Sequence, residues 1–116
     1  MVRSRITEWC GEDGKLLTVK LYRALPAIIA ATRMRRKRDT LEINVHGRDV
    51  RTVAQSQGFN RIPKNVLSRA MIAAGATPWE FTGGSRQYIF RGAMHAAEVV
   101  AMVSKNIDQH FTQESE

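Results

Sequence analysis

A single cysteine, Cys10, stands among 116 residues, so neither an internal disulfide nor a cysteine-rich zinc site is expected. Its plain reading is a small side chain near a turn, with no neighbour that would activate a thiolate. Histidine is as sparse: His46, His95 and His110 have no close metal-ligand spacing. No glycine-rich phosphate loop and no nucleophile elbow occurs, so no metal, cofactor or catalytic residue is expected. His46 beside Asp49 is the one pair that could serve a nuclease as base and orienter. A histidine at a strand end is more often a hydrogen-bonded surface residue, and the chain reads as non-enzymatic. No apolar run approaches the roughly 18 residues of a membrane span; the most apolar stretch, Ala24 to Thr32, contains Pro26 and leads into a basic block. The start, Met-Val-Arg-Ser-Arg-Ile-Thr, has no apolar region of a secretory signal. A cytoplasmic location is therefore expected, and no membrane contact. Repeats and low-complexity linkers are also lacking.

Acidic side chains are the next shortage. There are 11 Asp and Glu against 18 Lys and Arg, a net charge of +7, which suits a polyanionic partner. The imbalance is uneven: residues 1–94 carry 17 basic and 7 acidic side chains, a balance of +10, while residues 95–116 carry 1 and 4, a balance of −3. Any binding surface is expected in the basic part. Hydrophobic residues at 43 % and charged residues at 25 % are sufficient for one folded core at this length. Residues 1–116 therefore read as a single domain.

Along the chain, Ile6, Trp9, Leu17, Val19 and Leu21 flank Gly11-Glu12-Asp13-Gly14, which predicts an N-terminal β-hairpin over residues 1–23, centred on Ser4 to Tyr22. From Ala24, Leu25, Ile28, Ile29, Thr32 and Met34 follow a helical spacing, with Pro26 in the first turn and the cations of Arg33 to Arg38 in the last. Leu41, Ile43 and Val45 alternate with polar residues as in a half-buried strand stopped by Gly47. Arg48 to Gln57 predicts a short helix closed by Gly58, and Gln57-Gly58-Phe59-Asn60 a turn in which Phe59 packs between two helices. Pro63 leads a further amphipathic helix, with Val66, Leu67, Ala70, Met71 and Ala74 inward and Gly75 at its end. A second hairpin is expected from Thr77 to Phe81 and Gln87 to Arg91, with its tip at Thr82 to Arg86. A long helix, 93–111, precedes a flexible tail, 112–116.

If the apolar stripe of the proline-led helix faces the core, Lys64, Asn65, Ser68 and Arg69 face outward, with Arg61 at the entrance. Arginine and asparagine suit bidentate contacts to guanine and adenine edges, and lysine and serine reach phosphate or base. The same set would also serve as an ordinary solvated helix face. In the hairpin, Arg86 at the tip and Arg91 would reach phosphates. Trp79, Phe81, Tyr88 and Phe90 are expected to cover the core, with a base-stacking platform as the alternative. The run Arg33, Arg35, Arg36, Lys37 and Arg38 places five cations in six positions, self-repulsive unless phosphate or another anion lies near.

The fold expected is thus α+β: a core over residues 24–92 of helix, strand, helix, turn, helix and hairpin, with an N-terminal hairpin and a long C-terminal helix. In element order this core resembles the winged-helix superfamily. The resemblance implies that the strand after the first helix pairs with the hairpin, that the third helix enters the major groove, and that the hairpin touches backbone or minor groove. It points to a nucleic-acid-binding protein, DNA before RNA, acting in transcription, replication or mobile-element maintenance. A module gripping an acidic protein is the alternative, and an RNA or single-strand binder the third. A homodimer through Val100, Val103, Ile107 and Phe111 is equally open with those residues covering the back of the domain.

Overall fold

The computed structural model describes residues 12–36, 39–80 and 86–114. The first half of the expected N-terminal hairpin, Cys10, Lys37, Arg38, Phe81 and residues 82–85 of the expected hairpin tip lie outside the described residues.

Leu21, Leu25, Ile28 and Ile29 recur at three- and four-residue intervals, and all four are fully buried. That stripe draws Glu12–Ala31 into one helix, α1, so the expected hairpin is corrected over its described part. Leu17 and Leu21 alternate with Val19 as strand residues would, but they also stand one helical turn apart, and Val19 between them is 39 % exposed. Pro26 lies well inside the helix, where its ring and missing N–H cost about 3 kcal/mol. Four fully buried aliphatic side chains, at roughly 1.5–3 kcal/mol each, outweigh that cost.

Helix α1 stops before the basic run. The Thr32 hydroxyl donates to the Ile28 carbonyl at 2.6 Å and its N–H to Ile29 at 3.1 Å. Met34–Arg36 then forms strand β1 rather than a last helical turn, antiparallel to β2 (Glu42–His46) with Met34 opposite Val45 and Arg36 opposite Ile43. Extension relieves the charge conflict, because successive side chains of a strand point to opposite faces whereas a helix would crowd these cations into two turns. In β2, Ile43 and Val45 are buried as the alternation predicts. Leu41 precedes the strand and is 56 % exposed, so it does not join that inward set.

Helix α2 (Gly47–Ser56) buries Val50 and Ala54. It ends as expected at Gly58, whose φ of 97° only glycine adopts readily. The N–H groups of Gly58 and Phe59 donate to Gln55 and Ala54 at 3.1 and 2.9 Å, the two bonds of a Schellman cap. The connection is longer than the expected turn and spans residues 57–63 before α3 (Lys64–Ala73). Pro63 precedes α3 as its cap residue. Phe59 packs against the core and Ile62 enters it, while the Arg51 guanidinium donates to the Ile62 carbonyl.

Strands β3 (Thr77–Glu80) and β4 (Arg86–Arg91) complete a four-stranded antiparallel sheet in the order β1-β2-β4-β3. Val45 pairs with Tyr88 and Ile43 with Phe90; these four side chains form the inner face and are buried. Helix α4 runs from Ala96 to Glu114, about three residues later at each end than expected. One hydrophobic cluster joins the inner sheet face to α1, to Leu67 and Met71 of α3, and to Val99, Val103 and Ile107 of α4. The chain is α+β, and from α1 to β4 its elements follow the expected order, with β1 as an added strand. Among the described residues no helix is long and apolar enough to cross a membrane.

Candidate nucleic-acid interface

Helix α3 divides its residues sharply. Leu67, Ala70 and Met71 are buried, whereas Lys64, Asn65, Arg69 and Ile72 are exposed. Asn65, Arg69 and Ile72 follow i, i+4, i+7 spacing and so form one stripe on the outward side. Arg61, exposed and held at φ 54°, stands at the entrance to the helix. Lys64 to Ile72 spans about 12 Å of helix rise, a length that fits within a major groove.

Ser68 departs from the expected outward set. It is only 9 % exposed, and its hydroxyl accepts a hydrogen bond from Arg86 Nη1 at 2.9 Å. The reason is tertiary: Arg86 begins β4, opposite Glu80, rather than occupying the hairpin tip. It shares the strand parity of Tyr88 and Phe90, so its side chain leaves the sheet on the face where α3 packs. The corrected role of Arg86 is to brace the hairpin against α3, with its charge half-covered beside the stripe. Gly47 lies under the same corner, where a Cβ would meet the Arg86 carbonyl at 3.1 Å and the Tyr88 ring at 3.3 Å.

The remaining basic candidates are elsewhere. Arg91 closes β4 at the end away from the hairpin tip and faces Glu42, with Nε 3.7 Å from Oε1; it is not a hairpin-tip residue. Arg33, Arg35 and Arg36 are exposed at the β1 edge, separated from β3 by two strands and hence by about 14 Å of sheet. Asn65 and Arg69 thus share one face of α3, Arg61 and Lys64 are exposed at its N-terminal end, Arg86 adjoins the helix through Ser68, and the β1 cations lie apart.

Of the two uses open to the C-terminal stripe, covering the domain is the one the fold displays. Val103 and Ile107 are buried in the chain's own core, and Val100 and Phe111 pack on it. Tyr22 of α1 forms a three-ring cluster with His110 and Phe111, its ring centroid 5.1 and 6.2 Å from theirs in tilted and edge-on contact. The Arg23 guanidinium lies 4.3 Å above the Phe111 ring.

Two exposed residues depart from the leading sequence reading. Ile72 completes the α3 stripe, and its apolar character alone concealed it. Trp79, expected in the core, is 52 % exposed because β3 pairing puts it opposite Gln87, on the sheet face away from Tyr88. Comparison with protein-family models, curated proteins and solved structures finds no match to this chain.

Proposed function

We propose that the protein binds duplex DNA by occupancy, without chemistry, placing the α3 stripe in the major groove and setting the β3–β4 hairpin against the flanking backbone. One observation carries this reading: Asn65 and Arg69 lie on one exposed stripe of a ten-residue helix whose opposite side is buried, with Lys64 exposed in its first turn. The Arg86–Ser68 bond then fixes the hairpin relative to that helix. Rigid placement matters because base-edge contacts depend on orientation, while phosphate contacts set it. Duplex DNA is favoured over duplex RNA, whose major groove is too narrow for side chains to read. The element order that resembles winged-helix proteins supports the same use, in transcription, replication or maintenance of a mobile element inside the cell.

A mobility-shift comparison of duplex DNA, single-stranded DNA and RNA at about 0.15 M salt tests the reading. Duplex binding weakened by Arg69→Ala is expected. Equal duplex affinity of the wild type and the Arg69→Ala, Asn65→Ala and Lys64→Ala variants would remove it. A second reading, a grip on an acidic protein, is favoured by the position of Arg33, Arg35 and Arg36 on the far sheet edge. It predicts that Arg35→Ala and Arg36→Ala impair binding to an acidic polypeptide while Arg69→Ala does not.

A further inference from the structure

The sheet has two unlike faces. Ile43, Val45, Tyr88 and Phe90 on the inner side are buried, whereas Glu42, Asn44, His46, Gln87 and Ile89 on the outer side all keep partial exposure. Strand register arranges the outer side chains in rows. Trp79, Gln87 and His46 form the row nearest the hairpin tip; Thr77, Ile89, Asn44 and Arg35 form the next; Arg91 and Glu42 follow. We infer that this outer face is a second nucleic-acid site, which takes single-stranded DNA with a base stacked on Trp79 and its backbone directed along the face toward Arg35 and Arg91.

Three features define the occupant. Trp79 offers a half-exposed indole, a sequence-tolerant stacking surface that duplex DNA cannot use because its bases are already stacked. Asn44 and Gln87 are joined by an amide–amide hydrogen bond in the middle of the face; the Asn44 Oδ1 beside it is buried and has no hydrogen-bond partner. The Gln87 side chain keeps partial exposure, so the centre of the face is polar rather than a continuous apolar surface suited to a packed helix. The charge is complementary to phosphate: the rows hold two cations, Arg35 on β1 and Arg91 on β4, against one carboxylate, Glu42, which pairs with Arg91 and leaves Arg35 in excess. This site is on the side of the sheet opposite α3 and does not depend on the duplex-binding role of that helix. Together the two faces would suit a junction where a duplex opens.

The inference is tested with the full chain by fluorescence anisotropy, using a labelled oligothymidine of about 20 nucleotides, an oligouridine of equal length, a DNA duplex and polyglutamate. Oligothymidine binding is expected, weakened roughly 5- to 150-fold by Trp79→Ala, the loss of one base stack, and largely restored by Trp79→Phe. In a Trp9→Phe background the remaining indole emission should change on adding oligothymidine. Because Trp79 is half-exposed, Trp79→Ala is expected to melt near the wild-type temperature, and circular dichroism verifies that it is folded. The inference is overturned by unchanged oligothymidine affinity in folded Trp79→Ala, by no binding of oligothymidine, or by tighter binding of oligouridine or polyglutamate. Arg69→Ala separates the two proposals: it should lower duplex affinity and spare oligothymidine. A variant that spares both, beside a Trp79-dependent oligothymidine signal, removes only the helix reading.

Discussion

Arg86 donates to Ser68 at 2.9 Å, joining the first residue of β4 to the middle of α3. The bond couples the orientation of the hairpin to the helix that carries Asn65 and Arg69. Ser68→Ala should therefore lower stability by about 1–2 kcal/mol, as expected for a partly buried hydrogen bond to a charged group. It should also weaken duplex binding although Ser68 itself is buried. Urea titration and mobility shift on the same variant check both effects; an affinity loss without a stability loss would speak against bracing.

Arg69→Ala and Asn65→Ala should relax base preference by about 1–3 kcal/mol at the positions they read. Selection from a randomised duplex library with wild type and variants measures this. Arg36→Ala should instead weaken all duplexes alike and reduce the salt slope by about 1 if the β1 edge meets phosphate. An unchanged slope would separate β1 from the DNA path.

Ile72 is 51 % exposed on the same stripe as Asn65 and Arg69. Its natural base contact is the thymine methyl group. Replacing thymine by uracil in a selected site should reduce wild-type affinity several-fold, and Ile72→Ser should abolish that difference with little change in melting temperature. Equal sensitivity to uracil in both proteins would deny the contact.

Gly75 has φ 104°, and a Cβ there would collide with Asn106 Nδ2. Asn106 cannot simply swing aside, because the same nitrogen donates to the Ala74 carbonyl at 2.9 Å and thereby satisfies the end of α3. Gly75→Ala should cost about 1–3 kcal/mol from backbone strain and the displaced amide. In an Asn106→Ala background the added cost should be smaller, since only the strain remains. A double-mutant cycle by denaturant unfolding measures the coupling, and strict additivity would refute it.

Ile107 is 3 % exposed in the core. Ile107→Ala should destabilise the fold by about 2–5 kcal/mol through loss of buried surface and the cavity left behind. Its light-scattering mass should equal that of wild type, because the α4 stripe packs on α1 within one chain. A change of mass with little loss of stability would restore the intermolecular seam.

Much of the second half of the fold was legible from periodicity. Leu67, Ala70 and Met71 repeat at three and four and belong to a helix; Ile43 and Val45 repeat at two and belong to a strand; Gly58 ends α2 with a positive φ. Residues 12–23 were misread because Leu17, Val19 and Leu21 alternate as in a strand while Leu17 and Leu21 also stand one helical turn apart. The choice between them rests on Leu25, Ile28 and Ile29, which extend only the helical one. In the basic run, the cationic character was plain but its backbone state was not, since β1 exists only by pairing with β2. For the candidate site, Lys64, Asn65 and Arg69 were readable as outward-facing. Ser68 was not, because its cover comes from Arg86, 18 residues away.

By itself the amino-acid order determined charge, composition and the α3 amphipathic pattern, since these depend on residue type and on neighbours within one or two turns. Tertiary structure decided which cations share a surface, which side of the sheet holds Trp79, and whether the α4 stripe meets α1 or another chain. Those outcomes follow from strand register and helix docking between residues tens of positions apart, where contact energy rather than local preference chooses among alternatives the chain permits.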